Sequence, residues 1–286
     1  MISVVIANYN TKKSIVKTLD SLKHQNHDIE IIVVDDASTD QSVDVIISNF
    51  QQVKLFINKS NLGRAQSRNI GMQNAKGDWI LFIDSDVWLD KNTLDNLLDY
   101  RNNFDLIYPK LIFQNGTIKH SKPNQKYPTD TGCFLANRAK INNILFDTNF
   151  KYLEDQDFFI RCYLCGLKAK YVKSAVAYHQ DPEITNYGSK KYFDEMSDIF
   201  YGIKKFSQQT KKIGFKHHFK KINLIKGLAA AIFNYNYFLY NQNISTIKKI
   251  INIFTPHKKF EVKNVKLIKL FFVAIKKKNE TFNDFS

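Results

Sequence analysis

The sequence is poor in cysteine and has no long hydrophobic run. Its three cysteines, Cys133, Cys162 and Cys165, are too few for a disulfide framework and indicate a reducing compartment. Cys162 and Cys165 form a C-x-x-C pair in a helical pattern, but the second ligand pair of a structural zinc site is missing, so ordinary thiols are expected. Because no apolar run reaches about 18 residues, we predict no transmembrane helix.

The amino-terminal end also lacks a targeting pattern. The residues "MISVVIANYN" are strand-like, without a basic region followed by a long apolar stretch, so no secretory signal is expected. The chain has 286 residues, of which 44% are hydrophobic, and this suits one large domain or one domain with an appendage. The sequence therefore predicts a cytoplasmic protein with a substantial core.

Positive charge is concentrated in the last third of the chain. Residues 183–286 contain 20 lysines, no arginine and 7 acidic residues, a net charge of +13, whereas residues 1–182 carry a net charge of only +2. This change in composition predicts a domain boundary between residues 182 and 183.

Short apolar runs alternate with amphipathic helical patterns in residues 1–104. The runs "SVVIA", "IEIIVVDDAS", "VKLFIN" and "WILFID" are typical of buried strands. Helical patterns follow the first three runs, with Thr11 and Asp40 as expected caps. This alternation predicts an α/β fold, with a mostly parallel sheet, right-handed crossovers and flanking helices.

The pattern loosens in residues 105–182. "DLIYPKLIF" and "TGCFLANRAKI" are strand-like, and the second leads into a short helix. "EDQDFFIRCYLCG" predicts a helix with acids at its start and an ion pair between Asp157 and Arg161. "KAKYVKSAVAYHQ" predicts two short strands that end at His179. We expect this half to be an α+β part that flanks residues 1–104.

Two acids, Asp84 and Asp86, stand directly after a predicted buried strand. Ligands of such sheets bind beyond the carboxyl ends of the strands, and like charges this close need a cation or a solvated turn. A D-x-D turn offers oxygen ligands suited to Mg²⁺ or Mn²⁺, which commonly also hold substrate phosphates. His179 could complete the site.

Five motifs resemble glycosyltransferase family 2, whose members have a GT-A fold and transfer sugars from nucleotide donors with inversion. The resemblance covers residues 2–180. It is carried by "SVVIANYN", "IIVVDDASTDQS", "NLGRAQSRNIGMQNAKGDWILFIDSD", "TGCFLANRAKI" and "YLEDQDFFIR". Five motifs in this order are far more specific than any one of them.

The resemblance implies that residues 1–104 bind the nucleotide and residues 105–182 bind the acceptor, and it also implies a role for individual residues. The positions that match nucleotide-binding residues are Ala7, Tyr9, Asp36, Arg68 and Asp84. The positions that match metal ligands are Asp86, Asp84 and His179, with Mn²⁺ or Mg²⁺ as the ion. Asp155 matches the catalytic base.

Each of these residues also has a purely structural explanation. Asp84 and Asp86 could form a solvated turn, and Asp155 could be a helix-terminal acid favoured by the dipole. His179 could be a packed or surface histidine, and Arg68 could be a solvated helix residue or make a local ion pair. Val87 also departs from the family pattern, because many members have a third acid there.

Residues 183–286 alternate lysine with aromatic and aliphatic residues, as in helices that lie on an anionic membrane surface. An ordinary helical subdomain and packing between protomers are alternatives. Nucleic-acid binding is disfavoured, because the region has no arginine and no recognised motif. The expected location is cytoplasmic, peripheral on the inner face of the membrane.

The expected function is an inverting glycosyltransferase that moves a hexosyl or N-acetylhexosaminyl group from a nucleotide sugar, expected to be a UDP sugar, to a glycan or lipid-linked acceptor. One alternative is a nucleotidyltransferase of related fold, but "ANYNTKKS" lacks the glycine-rich loop that such an enzyme typically needs. The other is a non-catalytic protein that binds sugar nucleotides or glycans.

Overall fold

The computed structural model describes residues 1–118, 132–180 and 198. All of them belong to the unit Met1–Ala231. Apart from Asp198, the predicted basic region at 183–286 lies outside the described residues. The boundary between residues 182 and 183 therefore stays a prediction.

The described residues form an eight-stranded sheet and six helices. The strands are β1 (Ile2–Asn8), β2 (Ile29–Asp35), β3 (Lys54–Ile57), β4 (Trp79–Ile83), β5 (Val87–Leu89), β6 (Leu106–Phe113), β7 (Cys133–Asn137) and β8 (Ala169–His179). The helices are α1 (Lys12–Lys23), α2 (Ser42–Asn49), α3 (Arg64–Asn74), α4 (Thr93–Leu98), α5 (Arg138–Ile141) and α6 (Glu154–Leu164). The strand order is β3-β2-β1-β4-β7-β6-β8-β5.

The first four strands are parallel, as the alternation predicted, with β1 between β2 and β4 and β3 outside β2. Their inward residues alternate between two cores, one on each face of the sheet. Val4 and Ile6 belong to one core and Val5 to the other. Because both faces of β1, β2 and β4 are covered, these strands read as nearly continuous apolar runs, whereas the outer strand β3 is only partly buried.

Helix α3 packs closely on β1 through a glycine. A Cβ atom added at Gly71 would stand 2.4 Å from Cγ1 of Val5, so only glycine allows this approach. The contact brings the start of α3, which carries Arg68, over the carboxyl ends of the parallel strands.

The second half of the sheet is mixed. Strand β7 pairs antiparallel with β4 and β6, while β6 and β8 are parallel to each other. The prediction of two short strands at 168–180 was wrong, because β8 is one strand from Ala169 to His179. Its register with β6 shifts between Pro109 and Lys110, where proline has no N–H to donate to the ladder.

Strand β5 and helix α4 were not predicted. Strand β5 has only three residues and pairs with the distant end of β8, so no local pattern indicates it.

The prediction that Thr11 caps α1 was half right. Thr11 does precede α1, but its hydroxyl donates to Asn8 Oδ1 and does not cap the helix. Asp40 Oδ2 instead accepts a hydrogen bond from the Lys12 N–H at 2.8 Å.

Among the described helices, none is both long and apolar enough to cross a membrane.

Candidate active site

The candidate site lies beyond the carboxyl ends of β1, β2 and β4. Three non-glycine residues there have positive φ angles, Asn10 at 53°, Ala37 at 64° and Gln41 at 66°. Such conformations cost about 1 kcal/mol or more each. Side chains hold the loops in place: Ser38 Oγ accepts from the Asn10 N–H at 2.9 Å, and Asp35 accepts from the Ser38 N–H at 2.9 Å.

Asp36 organises the loop that enters α3. Its carboxylate accepts from Asn58 Nδ2 and from the N–H groups of Leu62 and Gly63, each at 2.8 Å. The residue is buried, and three of about four acceptor positions of the carboxylate are used. Among the described residues, no fourth donor to this carboxylate is found. Ala7 lies half-buried at the end of β1, and Tyr9 is 48% exposed beside it.

Arg68 is buried and bridges two parts of the chain. Its Nη2 donates to Asp84 Oδ1 at 2.7 Å, and its Nη1 donates to Glu154 Oε1 at 2.5 Å. Its side chain is only 4% exposed. Arg68 therefore ties the end of β4 to the start of α6, which is the ion-pair alternative that the sequence left open.

Electrostatics keep this bridge charged. Burial alone would lower the pKa of Arg68, but the charges of Asp84 and Glu154 raise it above its usual value. Burial alone would raise the pKa of Asp84, but Arg68, Arg64 and His179 together lower it. Asp84 is therefore ionised at neutral pH.

Asp84, Asp86 and His179 form a group suited to a divalent cation. One ligand atom from each lies within 4.8 Å of the others. His179 Nδ1 lies 2.5 Å from the carbonyl oxygen of Gln180, and an oxygen that only accepts requires the proton on Nδ1. The lone pair of neutral His179 is then on Nε2, which lies 3.8 Å from Asp86 Oδ1. Histidine ligands of metals are typically oriented this way.

The pairing of β5 with β8 brings His179 to this group. Val87 pairs with His179, and the Gln180 N–H donates to the Asp86 carbonyl at 3.0 Å. Val87 itself is fully buried in the core, so the position of the family's third acid takes no part in the group.

Asp155 stands at the start of α6, directly after Glu154. It is 8% exposed, and its Oδ1 accepts from the Gln156 N–H at 2.7 Å. Its charge also helps to raise the pKa of Arg68, so it lies within electrostatic reach of the bridge. The predicted pair of Asp157 and Arg161 is present, with 2.8 Å between Oδ2 and Nε.

The sequence did not indicate two of the site residues. One is Glu154 in its role as the partner of Arg68, and the other is Arg64. Arg64 lies four residues before Arg68, on the same face of α3. Its Nε is 3.8 Å from Glu154 Oε1, its guanidinium lies 5.4 Å from the centre of the Tyr152 ring, and its side chain is 46% exposed. The i, i+4 spacing of two arginines in "GRAQSR" is the signal that could have indicated it.

Comparisons with known proteins establish the family of the chain. The sequence profile described as glycosyl transferase family 2 matches residues 3–175. A poly(ribitol-phosphate) beta-glucosyltransferase of Bacillus spizizenii is 31% identical over 237 residues, which are 71% of this chain and 37% of that protein. The beta-1,3-glucosyltransferase WfaP of Escherichia coli is 27% identical over 257 residues, 82% of this chain and 97% of WfaP.

The poly(ribitol-phosphate) beta-N-acetylglucosaminyltransferase TarS of Staphylococcus aureus is 26% identical over 233 residues, and the match spans 74% of this chain but only 39% of TarS. The crystal structure of TarS residues 1–349 superposes with a TM-score of 0.57 at 24% identity, covering 80% of each chain. This likeness confirms the predicted GT-A type of α/β fold. Because the family profile matches more than half of the sequence, the chain belongs to glycosyl transferase family 2.

Proposed function

We propose that the protein transfers a hexosyl or N-acetylhexosaminyl group, with inversion, from a nucleotide sugar to a hydroxyl of a glycan or lipid-linked acceptor. The observation that carries the proposal is the joined set of carboxylates at the sheet edge. A possible cation site, Asp84 with Asp86 and His179, is connected through buried Arg68 to the helix that begins with Glu154 and Asp155.

The names of two relatives support a nucleotide-sugar donor and a glycan or lipid-linked acceptor. WfaP is named as using a UDP-glucose donor and a diphosphoundecaprenol-linked acceptor, and TarS as acting on poly(ribitol-phosphate). A TarS structure is titled as a complex with UDP-GlcNAc. We therefore propose a UDP sugar as the donor of this chain.

In the proposed donor site, Ala7, Tyr9 and Asp36 line the nucleoside pocket. The remaining acceptor position of Asp36 suits an N–H of a nucleobase. Asp84, Asp86 and His179 would hold Mn²⁺ or Mg²⁺, which when bound supplies positive charge against the departing diphosphate. Arg68 is committed to two carboxylates, so we assign it to holding Asp84 in place and assign the half-exposed Arg64 to the diphosphate.

Asp155 is the proposed base. Its carboxylate accepts the proton of the acceptor hydroxyl as that oxygen forms a bond to the anomeric carbon. The bond from the anomeric carbon to the diphosphate oxygen breaks on the opposite face, and the nucleoside diphosphate leaves with the electron pair. The start of an eleven-residue helix stabilises the ionised form of Asp155 before it takes the proton.

We also propose that residues 183–286 associate with an anionic membrane surface. The support is their net charge of +13 with interleaved apolar residues. A lipid-linked acceptor would lie at such a surface.

The cation site predicts that Asp86→Asn weakens Mn²⁺ binding at least ~10-fold and removes most transfer, because a charged oxygen ligand is replaced by a neutral one. Calorimetric titration with Mn²⁺ gives the affinity, and a donor-turnover assay gives the rate. His179→Gln should weaken binding in the same titration. His24→Gln, at an exposed position of the same residue type, is the control. Equal Mn²⁺ affinity in all four proteins would rule out this site.

Replacing the base, Asp155→Asn, is expected to lower the transfer rate by about 10²–10⁴-fold, because an amide cannot accept the proton. UDP affinity should stay within about twofold, since Asp155 acts on the acceptor. The exposed Asp99→Asn variant is the control for loss of one carboxylate. Steady-state rates and UDP titrations decide the matter, and unchanged turnover in Asp155→Asn would move the role to another acid.

If the basic region binds membranes, the full-length protein should sediment with anionic vesicles, bind neutral vesicles poorly, and be released in part by high salt. Each lysine near such a surface is worth about 1 kcal/mol, and salt screens that attraction. A chain without residues 210–286, checked for folding by circular dichroism, should not sediment. A full-length protein that ignores anionic vesicles and forms a salt-resistant dimer would disprove membrane binding.

A further inference from the structure

Asp198, from the basic region, makes three hydrogen bonds next to the proposed base. Its Oδ2 accepts from the backbone N–H groups of Lys151, Tyr152 and Leu153 at 2.9, 2.6 and 3.1 Å. The residue is 4% exposed. One carboxylate oxygen thus holds three consecutive amides of the turn that leads into α6.

The residue at the cap position of α6 offers no side-chain acceptor to this turn. Leu153 occupies the cap position, and its apolar side chain makes no capping hydrogen bond. A capping acceptor typically stabilises a helix by about 1 kcal/mol. Asp198 supplies an acceptor from a position 45 residues after Leu153 in the sequence.

The location of this carboxylate is electrostatically unfavourable. The first turn of α6 already contains Glu154, Asp155 and Asp157. Burial raises the pKa of Asp198, and the charge of Glu154 raises it further, while the three amides act in the opposite direction.

The turn that carries the three amides adjoins the residues proposed to take part in the reaction. Leu153 directly precedes Glu154, the partner of Arg68, and Asp155 comes next. Tyr152 also faces the guanidinium of Arg64. A shift of this turn would therefore move the base, the buried bridge and the exposed arginine together.

We infer that Asp198 is a positioning residue, which fixes the turn at 151–153 and thereby places Asp155 to accept the proton of the acceptor hydroxyl. The inference rests on the proposed function for the role of Asp155. It connects the region after residue 182 to catalysis through a specific contact, independent of any membrane binding.

The test combines Asp198→Asn, Asp155→Asn and the double variant in the full-length protein. Misplacing a catalytic group by about 1 Å can cost 10²-fold, so Asp198→Asn should lower kcat by about 10–100-fold and leave the Kd for UDP within about twofold. Because Asp198 acts through Asp155, it should have no further effect on kcat in the Asp155→Asn background. A general structural role would lower both backgrounds by the same factor.

Two further measurements keep the outcomes distinct. Hydrogen exchange should be slow at the amides of 151–153 in the unaltered protein and faster in Asp198→Asn. Asp44→Asn, an exposed acid on α2, should change neither rate nor exchange. An unaltered protein that transfers no sugar refutes the proposed function, with exchange still testing the contact. Unchanged kcat, multiplicative effects in the double variant, fast exchange in the unaltered protein, or loss of the cooperative melting transition in Asp198→Asn each overturn the positioning role.

Discussion

The buried guanidinium of Arg68 is the interaction on which the site depends. A charge that is 4% exposed is costly unless it is paired, and Arg68 is paired with a carboxylate on each side, Asp84 and Glu154. The fork geometry of arginine lets one planar group hold two carboxylates at fixed positions. Removing Arg68 would leave Asp84 and Glu154 without their shared cation, although Phe82 of β4 and Phe158 of α6 would still pack in the same core.

The pairing of Arg68 with two carboxylates also bears on the roles of its neighbours. Since the polar groups of Arg68 face protein carboxylates, the proposed site uses Arg64 as its positive charge toward the diphosphate; this side chain is 46% exposed and lies beside the Tyr152 ring. Glu154 is buried, and its Oε2 has no hydrogen-bond partner among the described residues. The same turn that holds Tyr152 is held by Asp198. The arginine proposed to bind the donor, the proposed base and Asp198 thus meet within a few residues of the start of α6.

Much of this arrangement could be predicted from the sequence. The four parallel strands follow from short apolar runs that alternate with helical patterns. The predicted α/β fold of GT-A type was confirmed. Asp84, Asp86 and His179 were expected to share a site, and the structure brings them together. Strand-end acids in a parallel sheet are predictable because topology alone places them at one edge.

The remainder depends on pairing between distant segments. The three residues of β5 become a strand only by pairing with the end of β8, and the two predicted strands at 168–180 are one because β6 supports it across a bulge. The partner of Arg68 lies 86 residues away, and no periodicity indicates it. Asp198 likewise has no local signal, since its role exists only where the turn at 151–153 meets it.

The central claim is that the site performs inverting sugar transfer, and the most direct test is the anomeric configuration of the product. The unaltered protein would be given Mg²⁺, an α-linked UDP-sugar donor such as UDP-glucose or UDP-GlcNAc, and acceptors of the ribitol-phosphate and lipid-diphosphate-sugar classes. Proton NMR of the isolated product should show the large anomeric coupling of a β-linkage, because the acceptor attacks opposite the leaving diphosphate. An α-linked product with the small coupling, or a donor left intact with every acceptor, would contradict the account.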